Sequence, residues 1–337
     1  MERLREAASH VNEDRTVKLV QELIRIPSPT GEEKEIAEYI ANYLREADFD
    51  EVQVDEEWNV LGTVRGAGDG PTLLNLTHTD SGIAGNMEDQ FSGEIRNGED
   101  YGKPGKVIYG RGAAAPKGAL STYIHAAKAL ADWGRENWNG TLQVACVIKD
   151  LNANHDGIRG VHQNLGIDPD FVIAGEPSNN QVVMGARGIS HVQVTLKGKE
   201  THWGKPREGV NPLYGLAVLL RESEKLSLPE HEVLGPATVS AIKVSSEMEP
   251  PRTPHTVRAV FDRRVLPAET VEDVLADFRT ILNRLIEGRE GLSGEVEQIR
   301  GMFSFSAKDD SPLKTALLEG GKAVTGGDIG ATFISFS

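Results

Sequence analysis

The sequence predicts an α/β fold with a small α+β domain inserted into it, and three observations point there. Short apolar strand-like runs alternate with helical ones through the first half of the chain, the pattern of a layered and largely parallel sheet. After residue 187 the order becomes strand–helix–strand–strand–helix–strand, which describes a ferredoxin-like βαββαβ unit. A last helical segment, SPLKTALLEGGKAV, then returns to the first domain. The expected domains are therefore 1–186 with 300–337, and an inserted domain over 187–299.

Taken in order, DRTVKLVQELIRI places Val17, Val20, Leu23 and Ile24 at helical spacing. PSPTGEE stops that helix, with Thr30 and Glu33 at the positions of a capping box for the next one. There, Ile36, Ile40 and Leu44 form one apolar stripe. VQVD, NVLGTVRG and PTLLNLTH read as strands. GRGAAAPKG leads into the helix ALSTYIHAAKALADWG, followed by the strand TLQVACVIKD, a helix over 157–166 and the strand FVIAGE. In the inserted domain, ISHVQVTLKG, PATVSAIKVSS, TVRAVFDRRV and GEVEQI read as strands. NPLYGLAVLLRESEKL and ETVEDVLADFRTILNRLIEG are its helices.

Composition narrows the function classes. The 337 residues carry 51 acidic against 36 basic side chains, a net charge of −15. That balance argues against nucleic acid and anionic membrane as partners, since both require clustered Lys and Arg. The single Cys146 lies in the apolar run LQVACVI and reads as a core residue rather than a nucleophile. No segment resembles a signal peptide or a membrane span, so a soluble cytoplasmic protein is expected.

In open α/β sheets, ligands collect at the carboxyl ends of strands. One strand ends in Thr77-His78-Thr79-Asp80, where a histidine and a carboxylate two residues apart suit a metal ligand and its orienting partner. Another leads to Asn154, His155 and Asp156, and a third to Glu176. The inserted domain contributes THWGKPREGVNP, with His202 and Asn211 beside a Gly/Pro-containing loop.

Together, THTD, GRGAAAPKG, NHDGIRG, GEPS, THWGKPREGVNP and FDRRVLP resemble, in order and spacing, the M20 family of metal-dependent peptidases and deacylases. The resemblance implies a zinc-exopeptidase-like catalytic domain, with the inserted domain used for dimerisation. It implies chemistry at two zinc ions bridged by a carboxylate and a water, with a glutamate as general base, cleaving amide bonds of N-acyl amino acids or peptides. On it, His78 is a metal ligand, Asp80 its orienting carboxylate and Glu176 the acidic ligand. His202 reaches the oxyanion, usually across a subunit interface, and Asn211 with Arg263 or Arg264 positions substrate.

The same resemblance exposes breaks. Ala115 occupies the place of the bridging aspartate, and a methyl group cannot ligate zinc. The Glu-Glu pair falls on Asn154 and His155, or on Asn152 and Ala153 in a shifted alignment. Neither keeps the base, although His155 remains a possible ligand. The family's Gly-Pro-Gly loop and second-metal histidine are expected beyond TGGDIGATFISFS. Two readings follow. One is a catalytically impaired homologue that acts as a binding or partner subunit, in a homodimer or with an intact paralogue. The other is an active amidohydrolase with one metal held by His78, His155 and Glu176, and Asp156 as substitute base. At most one zinc is expected. Arg111 is expected to pin the GRG turn, and Lys117 to be solvated.

Overall fold

A computed structural model describes residues 2–82, 85–152 and 156–334. The chain divides into two compact units, Met1–Val182 with Pro312–Gly330, and Val183–Ser311 with Ala331–Ser337.

In the first unit, helices α1 (Glu2–Ala8), α2 (Glu13–Arg25) and α3 (Lys34–Glu46) precede strands β1 (Glu51–Val54), β2 (Val60–Arg65) and β3 (Thr72–His78). A hairpin, β4 (Glu94–Asn97) and β5 (Lys106–Tyr109), leads to α4 (Gly118–Trp133). Then come β6 (Thr141–Val147), α5 (Asp156–Leu165) and β7 (Phe171–Ala174). The sheet order is β1-β2-β6-β3-β7. Strands β6, β3 and β7 are parallel, while β1 and β2 enter antiparallel. The expectation of a largely parallel sheet thus holds for its centre only, because the five residues between β1 and β2 can close only a hairpin, not a crossover.

Alternation along β6 explains the layering. Leu142, Val144 and Cys146 face a core built with Leu23, Ile36, Ile40, Leu44, Leu120 and Ile124 of α2, α3 and α4. Ala145 and Val147 face the other side, with Leu61, Leu74 and Val161 of α5. Cys146 is fully buried, and burial pushes its thiol pKa up, as a core residue requires. Helix α8 (Pro312–Thr325) packs on α1, where Arg5 Nε donates to the Ala323 carbonyl at 3.1 Å.

In the second unit, β8 (Val182–Ala186) and β9 (Gly188–Lys197) are followed by α6 (Pro212–Ser223) and a two-residue hairpin pair, β10 (Glu230–His231) and β11 (Gly235–Pro236). Next come β12 (Thr238–Glu247), β13 (Thr256–Val265), α7 (Val271–Ile286) and β14 (Ser293–Met302). Their antiparallel sheet runs β12-β13-β9-β14, the ferredoxin-like order. Val192, Val194, Leu196, Val257, Ala259 and Phe261 pack one sheet face against Leu216, Leu219, Val274, Phe278 and Leu282 of α6 and α7. Strand β12 lies at one sheet edge, with Ile242 52% and Val244 51% exposed. The short β15 (Phe305–Ser306) and β16 (Ala331–Ile334) flank β8. This pairing places residues 183–186 and 300–311 with the second unit, whereas the sequence reading put the junctions at 187 and 299.

Candidate metal centre

The site grows from the carboxyl ends of β3, β6 and β7. His78 is the last residue of β3, and its neighbour Thr79 is tied to β6 by a backbone bond to Val147 at 2.8 Å. Asp80 is fully buried. Its carboxylate accepts from His78 Nδ1 at 2.8 Å, Thr30 Oγ1 at 2.8 Å, the Asp150 N–H at 3.2 Å and the Leu151 N–H at 3.0 Å. Burial alone would raise its pKa, but these bonds outweigh that and hold it below the ordinary carboxylate value.

With Nδ1 engaged by Asp80, His78 turns Nε2 toward Glu176, 3.5 Å from Oε1. Asp150, just past β6, completes a cluster in which one donor atom from each of His78, Asp150 and Glu176 lies within 4.8 Å of the others. Burial pushes the imidazole pKa down. The hydrogen bonds to Asp80 and Glu176 and the negative field of Asp150 overcome this and lift it to about 10. Glu176 is set by close packing beneath it, since a Cβ on Gly175 would lie 2.7 Å from the Tyr123 ring and 2.8 Å from Ala119.

The loop PSPTGEE supports the site rather than simply capping a helix. Helix α3 begins at Lys34 without a side-chain cap, and Thr30 donates to Asp80 instead of forming the expected capping box. Buried Glu33 accepts from the Lys149 N–H at 2.9 Å, and Ser28 donates to the Thr79 carbonyl at 2.8 Å. Ala115 lies in the bend between β5 and α4, in extended backbone conformation.

Lys117 corrects the expectation of a solvated side chain. It is fully buried, and Nζ donates at 2.8 Å to both Leu23 and Ile26 carbonyls at the end of α2, where helix carbonyls lack intrahelical partners. Burial pushes its pKa down to about 8. Arg111 Nε donates to the Gly82 carbonyl at 2.8 Å, joining the GRG turn to the segment after Asp80.

His155 and Asn154 lie outside the described residues. Asp150 was not singled out from sequence, and its only signal was its place just beyond a parallel strand. In the second unit, exposed His202 accepts the Gly204 N–H on Nδ1 at 3.0 Å. Asn211 caps α6 through Oδ1, which accepts from Leu213 N–H at 3.0 Å. The sequence left Arg263 and Arg264 as alternatives, and their environments differ. Arg263 is fully buried and paired with Glu269, which makes it part of the packing. Arg264 is partly exposed on the opposite sheet face and bonded through Nε to Asp262 at 2.8 Å.

Residues 184–290 match the Peptidase dimerisation domain family. The chain is 27% identical over 273 residues to YgeY of Escherichia coli K12, covering 78% of this chain and 64% of that protein. It thus spans less than two thirds of that relative. It is 27% identical over 297 residues to a succinyl-diaminopimelate desuccinylase of Methylobacterium radiotolerans, covering 82% and 73% of the two chains. In fold it is similar to a Staphylococcus aureus tripeptidase, with a TM-score of 0.76 at 18% identity over 97% of this chain and 86% of that one. A dinuclear metal-binding M20 peptidase of Bacillus subtilis gives a TM-score of 0.70 at 15% identity, over 96% and 82%. Those structures share the catalytic domain with its inserted dimerisation domain. With the ordered motifs and a histidine–carboxylate cluster at the strand ends, these likenesses support an M20 family metallopeptidase or deacylase.

Proposed function

We propose that this chain is an M20-type hydrolase homologue with impaired turnover, which binds N-acyl amino acids or peptides and acts as a partner subunit. The observation that carries this reading is Ala115. At the place where the family resemblance sets a metal-bridging carboxylate, this loop offers a methyl group, which cannot coordinate a cation or screen two of them from each other. The second unit supplies the partner role. It matches a dimerisation domain, its β12 edge is exposed, and His202 is exposed. A homodimer and a heteromer with an intact paralogue both satisfy this chemistry. The compartment proposed is the cytoplasm, and no helix among the described residues is long and apolar enough to cross a membrane.

The test is hydrolysis of N-succinyl and N-acetyl amino acids and of dipeptides by the purified chain with added zinc. The expected result is no release of amine above the metal-only control, with saturable binding of the same compounds. Turnover at rates ordinary for a metallohydrolase, roughly 1–10³ per second, overturns the reading. That result would favour a second one, an active amidohydrolase with a single metal, for which the grouping of His78, Asp150 and Glu176 is the supporting observation.

A further inference from the structure

We infer that the cleft between α6 and α7 is a binding site for a small free α-amino acid with an aliphatic side chain. The cleft belongs to the second unit alone, and the inference does not depend on whether the chain hydrolyses anything.

Three observations carry it. The first is the lining of the cleft. It holds about 210 Å³ between Val218 and Glu222 of α6, Ile281, Arg284 and Leu285 of α7, and Arg289 in the turn beyond. On each helix these residues stand three or four apart, so one stripe of each faces the cleft. Ile281 and Leu285 are 6% and 5% exposed and Val218 is half-buried, which makes the floor apolar. Clefts for drug-sized molecules run to ~300–1,000 Å³, so this one admits only a smaller body.

The second is the pair of guanidiniums at the rim. Elsewhere in this unit arginines answer carboxylates, as Arg252 does Glu200, Arg258 does Glu247 and Arg279 does Glu272. Arg284 and Arg289 donate to no carboxylate among the described residues. Two such groups at one small cleft can hold a single carboxylate between them.

The third is the one acidic group of the lining. Glu222 Oε1 accepts from Lys225 Nζ at 2.6 Å, and Oε2 keeps its capacity to accept. The bond to Lys225 and, more weakly, the charge of Arg284 on the facing helix hold this carboxyl below its ordinary pKa, so it stays ionised. An aliphatic α-amino acid matches the set group for group. Its carboxylate goes to the arginines, its ammonium to Glu222 and its side chain to the apolar floor. A dicarboxylate would meet Glu222, a diamine would meet the arginines, and inorganic phosphate would leave the floor bare.

Calorimetric titration of the full chain with L-leucine is expected to show one site per chain, with a Kd at or below about 1 mM. 4-Methylpentanoate lacks the ammonium and 3-methylbutylamine lacks the carboxylate. Each should bind about tenfold more weakly or worse, and glycine, without the side chain, should do the same. Arg284→Gln and Glu222→Gln should each weaken leucine by a similar factor with an unchanged thermal melt, because neither residue is part of the unit's core. Absence of saturable binding, equal affinity for 4-methylpentanoate, or full affinity in Arg284→Gln overturns the inference, the last by placing leucine elsewhere on the chain. A second copy seated in the cleft overturns it too, and Arg289→Glu would reveal that as a change in sedimenting mass without any response to leucine.

Discussion

Lys117 shows how a single residue can look ordinary in sequence and be exceptional in the fold. Its ammonium is fully buried against two helix-end carbonyls, and its pKa falls to about 8. The sign of the resulting pH dependence follows from linkage. Between about 8 and the ordinary lysine value near 10.4, the unfolded chain holds this proton more tightly than the folded one, so stability rises with pH through that window. The contribution is on the order of 3 kcal/mol. Denaturant melts of the protein and of Lys117→Met at pH 7.5 and near pH 10 check it, since the difference between the two stabilities should shift in favour of the unaltered protein at the higher pH. A pH-independent difference would remove the buried-ammonium account. The histidine, carboxylates and loop glycines of the site were visible in sequence because their types and order are distinctive. Asp150 was not, because only the close approach of β3, β6 and β7 brings it to His78. Thr30 misled for a related reason. A threonine three residues before a glutamate satisfies the local rule for a helix cap, but a buried carboxylate 50 positions away competes for its hydroxyl and wins.

At the scale of elements, hydrophobic periodicity made nearly every helix and strand legible, since each buries one face against the next layer. Strand pairing was less so. Nothing local in NVLGTVRG distinguishes an antiparallel entrant from a parallel strand, and its direction is set by the short connection from β1. Strand β12 carries the element-scale prediction. Exposed Ile242 and Val244 lie on an edge whose other side is paired to β13, with a bulge between Ala241 and Lys243 that leaves Ile242 without a ladder partner. If this edge meets a partner strand, Val244→Lys should shift the chain from dimer to monomer in sedimentation at micromolar concentration. It should leave the unit's own fold intact, because position 244 is outside its core. An unchanged mass would assign the interface elsewhere.

For the whole molecule, the decisive feature is two cores without a shared list of residues. One is built on β2, β6 and helices α2 to α4, the other on β9, β13, α6 and α7. Two-state unfolding is a property of single cooperative units. Calorimetry should therefore resolve two transitions. Leu120→Ala and Phe278→Ala, each removing a fully buried side chain, should each lower a different one by about 3–5 kcal/mol. A single transition displaced equally by both variants would mean that the units melt as one. The division itself was readable from sequence as a change of strand–helix order near residue 187. The exact junctions were not, because the small β8–β15–β16 sheet gathers three segments far apart in the chain.

The bare margin of β12 has a further implication for handling the protein. Its outer peptide groups form an unfilled ladder, and among residues 238–247 only Lys243 supplies the positive charge that natural edges use to repel unwanted strands. If two copies meet along this edge, dilution that separates them would uncover this template before heat disturbs either core. Turbidity on long storage at low concentration would then originate from native-like molecules stacking through their margins, and a second lysine there would suppress it.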